Sequence, residues 1–80
     1  MQHRLKTLSK YYKKVKSNEK PFEVRINDRP YQVGDILELA EIDDVNYQYT
    51  GDVIKRKVTY ILDDPQYVIA GYVIMGLSEV

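Results

Sequence analysis

Residues 9–26, SKYYKKVKSNEKPFEVRI, contain the change of periodicity that decides the fold. In the first half, apolar residues recur at helical spacing after Ser9, which is placed to act as the helix N-cap. We expect the helix to end near Asn18, because asparagine tolerates the left-handed backbone of a C-terminal cap. From residue 22 onward apolar and charged residues alternate. This period of two predicts a half-buried strand over residues 22–26, with its charged side chains pointing away from the apolar face.

Further strands are predicted on both sides of this segment. Residues 3–8 precede the helix as a short first strand, and later candidates cover residues 36–39, 53–62 and 71–77, with a turn expected at Thr50-Gly51. In the longest candidate, alternation predicts one face made of Ile54, Arg56, Val58, Tyr60 and Leu62. One helix and about five strands predict an α+β fold, either a curled sheet or a small β-barrel with the helix across one side.

Length and composition exclude several classes of protein. Eighty residues accommodate one domain, residues 1–80, with an ordinary globular balance of 44% hydrophobic and 30% charged residues. The chain has no cysteine, and His3 is the sole histidine, so thiolate and histidine metal sites are not expected. No phosphate-binding glycine loop is visible, and we expect no cofactor and no metal. The polar residues 1–8 and the short apolar run 70–77 predict a soluble, cytoplasmic protein without a membrane partner.

The zero net charge hides an uneven distribution along the chain. Residues 1–30 hold nine basic and three acidic residues, a net charge of +6, whereas residues 31–80 hold three basic and nine acidic residues, a net charge of −6. If folding keeps these regions apart, one face attracts phosphate and the other repels it. If the strands interleave them, the asymmetry cancels.

The run SNEKPFEVR, residues 17–25, resembles the signature of ASCH domains, which in outline is Gly-x-Lys-x-x-Glu-x-Arg. Lys20, Glu23 and Arg25 occupy its charged positions, and Asn18 stands where glycine is usual. Segments such as Val33-Gly34-Asp35-Ile36-Leu37, Tyr49-Thr50-Gly51 and Gly71-Tyr72-Val73 extend the resemblance over nearly the whole chain. The chain is similar to short bacterial and phage ASCH-like proteins of the PUA-like superfamily. This resemblance implies a PUA-like fold and RNA binding, and some small ASCH proteins are amidohydrolases that act on acetylated cytidine.

Four charged residues form the candidate binding site. Alternation puts Glu23 and Arg25 on one face of the strand, and Lys20 lies just before it. Arg25 could bind a phosphate or a base edge, Lys20 could supply a point charge, and Glu23 could accept a hydrogen bond from an exocyclic amine. Arg29, in the turn that follows, could add a phosphate contact. The simpler interpretation is a solvated strand face whose ion pairs contribute about 0–1 kcal/mol.

The lysines of the helix and the eight tyrosines are weaker candidates for nucleic-acid contacts. A lysine-rich outer face is typical of any surface helix, so we favour a structural role for it. Tyrosine rings can stack on unpaired bases. We expect four of them to be core residues (Tyr11, Tyr12, Tyr60 and Tyr72) and four to be freer to stack, because they lie in or near loops (Tyr31, Tyr47, Tyr49 and Tyr67).

Three functions are compatible with this sequence. The leading hypothesis is a binding module for RNA or a nucleotide-like ligand, held by Lys20, Glu23, Arg25 and Arg29. The second is a small amidohydrolase of a modified pyrimidine nucleoside, with Lys20 and Glu23 as catalytic residues. The amidohydrolase relatives carry threonine where Glu23 stands, so their mechanism does not transfer directly. The third is a protein-interaction domain that uses the acidic residues or tyrosines of the second part of the chain. The sequence specifies no oligomeric state.

Overall fold

The computed structural model describes residues 1–80 and contains one helix and five strands. In chain order the elements are β1 (Gln2–Leu8), α1 (Ser9–Lys16), β2 (Phe22–Ile26), β3 (Ile36–Ile42), β4 (Tyr49–Leu62) and β5 (Tyr72–Glu79). All five strands belong to one sheet, which curls into a half-barrel. The predicted α+β class with a curled sheet is therefore confirmed. No helix of the protein is long and apolar enough to cross a membrane.

The order of the strands puts β1 and β2 at the two edges of the sheet. This order is β1-β3-β4-β5-β2, with β1 parallel to β3 and every other neighbouring pair antiparallel. Because the sheet curls, its two edges approach each other, and the Arg25 side chain of β2 reaches the backbone of β1. The gap between these edges contains the candidate site.

The core lies between α1 and the face of the sheet that α1 covers, called here the inner face. Tyr12 and Val15 of the helix are almost completely buried. They pack with fully buried side chains from three strands, namely Leu37, Leu39, Val58, Val73 and Met75. Each such side chain contributes about 1.5–3 kcal/mol through its removal from water. The three-residue spacing of Tyr12 and Val15 is the helical periodicity that predicted this face.

The ends of α1 are stabilised differently from the prediction. The N-cap position belongs to Leu8, which makes no side-chain cap, so the prediction for Ser9 is wrong. The Ser9 hydroxyl instead donates to Glu41 Oε2 at 2.6 Å, a hydrogen bond strengthened by the charge of the acceptor. Asn18 has a φ of 65°, as expected after the helix. The buried Arg56 guanidinium donates at 3.4 Å to the carbonyls of Val15 and Lys16 at the end of α1, and the Val15 carbonyl also accepts from the Asn18 backbone N–H at 3.0 Å.

Strand β2 is oriented with its polar side chains inward. Glu23 is buried and Arg25 is half-buried, whereas Phe22, Val24 and Ile26 are 40%, 47% and 58% exposed. The strand itself is where the alternation predicted it, but its apolar face is the exposed one, so the simpler interpretation of a solvated charged face is wrong. The helix packs mainly on β1 and β3, so the inner side chains of β2 face the gap between the sheet edges rather than an apolar core.

Thr50 and Gly51, which were predicted to form a turn, lie within strand β4 instead. Gly51 has a φ of 97°, a value that suits glycine because it has no Cβ. The pairing of β4 with β3 shifts by two residues at this point, between Ala40 and Ile42. The chain therefore bulges here without reversing direction, and the strand continues to Leu62.

A second bulge in β4 reverses the alternation of its side chains. The pairing with β5 shifts between Val58 and Tyr60, so that Thr59 is an extra residue. Val58 is fully buried, but Tyr60 is 65% exposed, and the half-buried Ile61 joins the core. The prediction of one continuous face from Ile54 to Leu62 is wrong beyond Val58, because one inserted residue moves all later side chains to the opposite face.

Candidate functional site

A cavity of about 610 Å³ lies between β1 and β2, the two edges of the sheet. Side chains of both strands line it, together with Tyr11 of the helix and Asp28, Arg29 and Tyr31 of the loop after β2. Its volume is within the range of pockets that bind small molecules. All four residues of the predicted site line this cavity.

Lys20, Glu23 and Arg25 form one hydrogen-bonded cluster in the cavity. Lys20 Nζ donates to Glu23 Oε1 at 2.9 Å, and Arg25 Nε donates to Glu23 Oε2 at 2.8 Å. The Glu23 side chain is 4% exposed, whereas those of Lys20 and Arg25 are 19% and 23% exposed. The two cations compensate the buried carboxylate and keep part of their own surface open to the cavity.

Two arginines connect the edges of the half-barrel. Arg25 Nη2 donates to the carbonyl of Lys6 at 2.8 Å and to Thr7 Oγ1 at 3.0 Å. Arg29 Nη1 donates to the carbonyl of Arg4 at 3.3 Å. The carbonyls of Arg4 and Lys6 lie on the edge of β1 that has no neighbouring strand. The guanidinium groups therefore occupy the place of a missing strand and satisfy its hydrogen-bond acceptors.

Lys6 and Arg29 are cations of the cavity wall that form no ion pair. Arg4, in contrast, is paired with Glu38, and Arg25 is paired with Glu23. These four basic residues line a smaller adjoining recess of about 340 Å³, which contains Tyr49 and no acidic residue. In the main cavity Glu23 and Asp28 are the acidic residues. The positive charge is thus concentrated where the recess joins the cavity, at Lys6 and Arg29.

The cations on β1 were missed by the sequence analysis. Arg4 and Lys6 alternate with buried residues of β1, which marks them as side chains of one exposed strand face. That alternation is visible in the sequence. Their place beside Arg25 and Arg29 depends on the meeting of two strands that do not pair with each other, and no local pattern encodes such a meeting.

The cavity is partly lined by tyrosine rings. Tyr31 is half-buried, its ring centroid lies 4.8 Å from that of His3, and burial raises its pKa. Tyr11 and Tyr72, which we expected in the core, also line the cavity and are 46% and 41% exposed. Tyr60, expected in the core as well, lies away from the cavity on the outer face of the sheet. Among the tyrosines predicted as core residues, Tyr12 is the buried one.

His3 and Asp35 form a second polar pair, buried behind Tyr31. His3 Nε2 lies 2.8 Å from Asp35 Oδ2, and the Gln32 backbone N–H donates to the same oxygen. Burial alone would raise the pKa of Asp35, but hydrogen bonds from His3, the Gln32 backbone and the N-terminal ammonium together lower the pKa. The contact with Asp35 fixes the His3 ring, against which Tyr31 packs. No three His, Cys, Asp or Glu side chains are clustered in a way that could hold a metal ion.

Comparison with known proteins gives a family and no activity. No curated protein matches the chain. The sequence model of one family, a domain of unknown function designated DUF3850, matches residues 2–77, which include β1, all residues of the cavity wall and most of β5. The chain therefore belongs to the DUF3850 family.

Proposed function

We propose that the protein is a small binding module of the ASCH or PUA-like type that holds RNA or a nucleotide-like ligand in the cavity between β1 and β2. The proposal rests on one observation: Lys6 and Arg29, two cations that form no ion pair, lie next to the tyrosine rings of the same cavity. A curled sheet with one helix agrees with the fold that the resemblance implies.

The cavity offers the two kinds of surface that a nucleotide requires. Lys6 and Arg29, with Arg4 and Arg25 beside them, provide donors and positive charge for a phosphate in the adjoining recess. Tyr11 and Tyr31 provide ring faces for a base, and Leu5 adds apolar wall. A phosphate in the recess and a base in the larger cavity would use both volumes at once.

Glu23 acts in this proposal as a positioning residue. Its two oxygens already accept hydrogen bonds from Lys20 and Arg25, and its side chain is buried. Lys20 uses one of its three donors for this contact and Arg25 leaves Nη1 free, so both can still contact a ligand. The cluster of Lys20, Glu23 and Arg25 thus presents two oriented cations to the ligand.

The test measures ligand affinity by amide NMR titration with short single-stranded RNAs and with nucleoside monophosphates, at low and at moderate salt. The informative variant is Lys6→Gln with Arg29→Gln, because these cations hold no ion pair in the folded chain. The matched control is Lys55→Gln with Lys57→Gln, which removes two exposed charges from β4, outside the cavity.

We expect the cavity variant to lose affinity by about tenfold or more, since each lost phosphate contact weakens binding. The control should change affinity by less than about threefold. Wild-type shifts should cluster at residues 20–29 and at β1, and they should persist at moderate salt. Equal losses in both variants, or shifts on α1 that vanish with salt, would show nonspecific attraction and reject the pocket.

One observation favours amidohydrolysis as a second candidate. The Thr7 hydroxyl lines the cavity and accepts a hydrogen bond from Arg25, so a hydroxyl is present in the cavity although Glu23 occupies the threonine position of the amidohydrolase relatives. Lys20 also has the carboxylate partner that such chemistry requires. Incubation of the protein at high concentration with acetylated cytidine tests this candidate. Release of acetate and cytidine that Thr7→Val abolishes would support it, and no release would reject it.

A further inference from the structure

The outer face of the sheet is apolar over three neighbouring strands. Strand β2 places alternate apolar side chains on this face, and their partners on β5 are apolar or glycine. The β4 residues that pair with this part of β5 are apolar as well. The bulge at Thr59 adds the end of β4 to the same surface. The residues of this outer apolar patch are Phe22, Val24, Ile26, Tyr60, Leu62, Tyr72 and Ile74.

The patch is too exposed and too continuous to be explained as scattered surface residues. The exposed fractions of Phe22, Val24, Ile26 and Tyr60 range from 40% to 65%, and no charged side chain lies between the residues of the patch on the outer face. With Tyr72, which is 41% exposed, the side chains of the patch expose roughly 500 Å² of mostly apolar surface. The largest apolar patch of a typical monomer covers about 300–600 Å² and is often functional, so a patch of this extent is a candidate interaction site.

We propose that a second copy of the chain covers the outer apolar patch, so that two sheets stack face to face in a symmetric dimer. An uncharged sheet face is complementary to itself about a twofold axis, because no like charges oppose each other across the contact. Two sheets can pack through such faces about 10 Å apart, as in a β-sandwich.

The size of the patch and its surroundings agree with an interface between two copies. A stable interface buries roughly 800 Å² per partner, and the patch supplies more than half of this area. The next outward-facing pair on β4 and β5, Lys57 and Ser78, is polar and would form the rim. Val24, Ile26 and Tyr72 also border the cavity, so the second copy would lie beside the cavity entrance.

The test is the mass of the protein in solution, measured by sedimentation over about a hundredfold range of concentration. We expect the wild-type mass to rise with concentration from the 9.4 kDa of one chain to twice that value. Val24→Lys and Tyr60→Lys each place a charge in the patch, and both sites are exposed enough to leave the fold intact. The control is Val53→Lys, a similarly exposed valine on the other half of β4.

Each patch variant should weaken the dimer by about tenfold or more, and the control should leave it within about threefold of wild type. Circular dichroism of both patch variants checks that they are folded. A wild-type protein that stays monomeric at every concentration would overturn the proposal, whether or not it binds vesicles of anionic lipid through the patch. So would a dimer that Val53→Lys weakens as much as Val24→Lys and Tyr60→Lys do.

Discussion

Glu23 shows how the chain keeps a carboxylate buried on an inner sheet face. Lys20 and Arg25 each donate to one of its oxygens, and these cations remain partly exposed to water. Removal of the negative charge would leave the two cations close together without compensation. Since they can move toward water, the expected loss is smaller than for a fully buried pair.

For Glu23→Gln we therefore expect the free energy of unfolding to fall by about 2 kcal/mol, as measured by urea denaturation. The matched control is Glu19→Gln, which removes an exposed carboxylate paired with Lys14 and should leave stability nearly unchanged. If the two variants were equally stable, the cluster around Glu23 would have no structural role.

The environment of Glu41 makes the stability of the folded protein depend on pH. The hydroxyls of Ser9 and Thr50 donate to its two oxygens at 2.6 and 2.7 Å, and these hydrogen bonds lower its pKa below the ordinary 4.5. The ionised form is thus favoured by folding. Its contribution is complete above the pKa of the unfolded chain and is lost as pH falls through the folded-state pKa.

We expect Glu41→Gln to be less stable than wild type by about 1 kcal/mol at neutral pH, because the hydrogen bonds to a charged acceptor are lost. This difference should shrink as the pH falls below about 4.5 and through the lowered pKa of the folded state, where wild-type Glu41 becomes protonated. Urea denaturation across this range measures it. A difference that stays constant with pH would contradict the assignment.

At the scale of whole elements, the bulge of β4 depends on a glycine in the opposite strand. A Cβ on Gly76 would lie 2.9 Å from Thr59 Oγ1, at the extra residue of the bulge. Threonine is branched at Cβ and has few alternative rotamers, so the contact cannot be relieved cheaply.

We expect Gly76→Ala to reduce the free energy of unfolding by about 1–2 kcal/mol through this overpacking. Thr59→Ala removes the hydroxyl and should restore most of the loss in the double variant, although alone it changes an exposed side chain with little effect. Additive losses in the double variant would show that the bulge tolerates the added methyl group and that the cost arises elsewhere.

At the scale of the whole molecule, the half-barrel is closed by side chains where no strand pair exists. Arg25 makes three hydrogen bonds, to Glu23, to the Lys6 carbonyl and to Thr7, all at 2.8–3.0 Å. Arg29 makes one, at 3.3 Å. The two arginines therefore contribute unequally to the closure, although both span the same gap.

We expect Arg25→Gln to lower the free energy of unfolding by about 2 kcal/mol and to speed amide hydrogen exchange in β1 and β2. Arg29→Gln should change stability by less than about 0.5 kcal/mol, because its single bond is long and exposed. Exchange rates in β3 serve as the internal reference, since that strand is paired on both sides. Equal effects of the two substitutions would contradict closure by Arg25.

The curl of the sheet also brings together basic residues from the first third of the sequence. Both β1 and β2 belong to the basic first third of the chain, and they become the two edges that meet. Arg4, Lys6, Arg25 and Arg29 therefore collect around one recess that contains no acidic residue. The acidic remainder supplies Glu38 as a partner for Arg4 but leaves Lys6 and Arg29 without one.

Local patterns in the chain were enough to locate its secondary-structure elements. Alternation and helical spacing are local properties of the chain, and they located the helix, the strand of residues 22–26 and the closing strand to within a few residues. The same local spacing put Lys20, Glu23 and Arg25 near one another, because all three lie within six consecutive residues, which span only a short distance.

Three-dimensional packing, in contrast, determines which face of each strand is buried and which distant residues meet. Alternation shows which side chains of a strand share a face, but not which face is buried. It therefore could not show that the polar face of β2 points inward or that a bulge turns Tyr60 outward. The meeting of Lys6 with Arg29 depends on the curl of the whole sheet. Curl and bulges arise from packing among distant residues, and no single segment of the sequence contains that information.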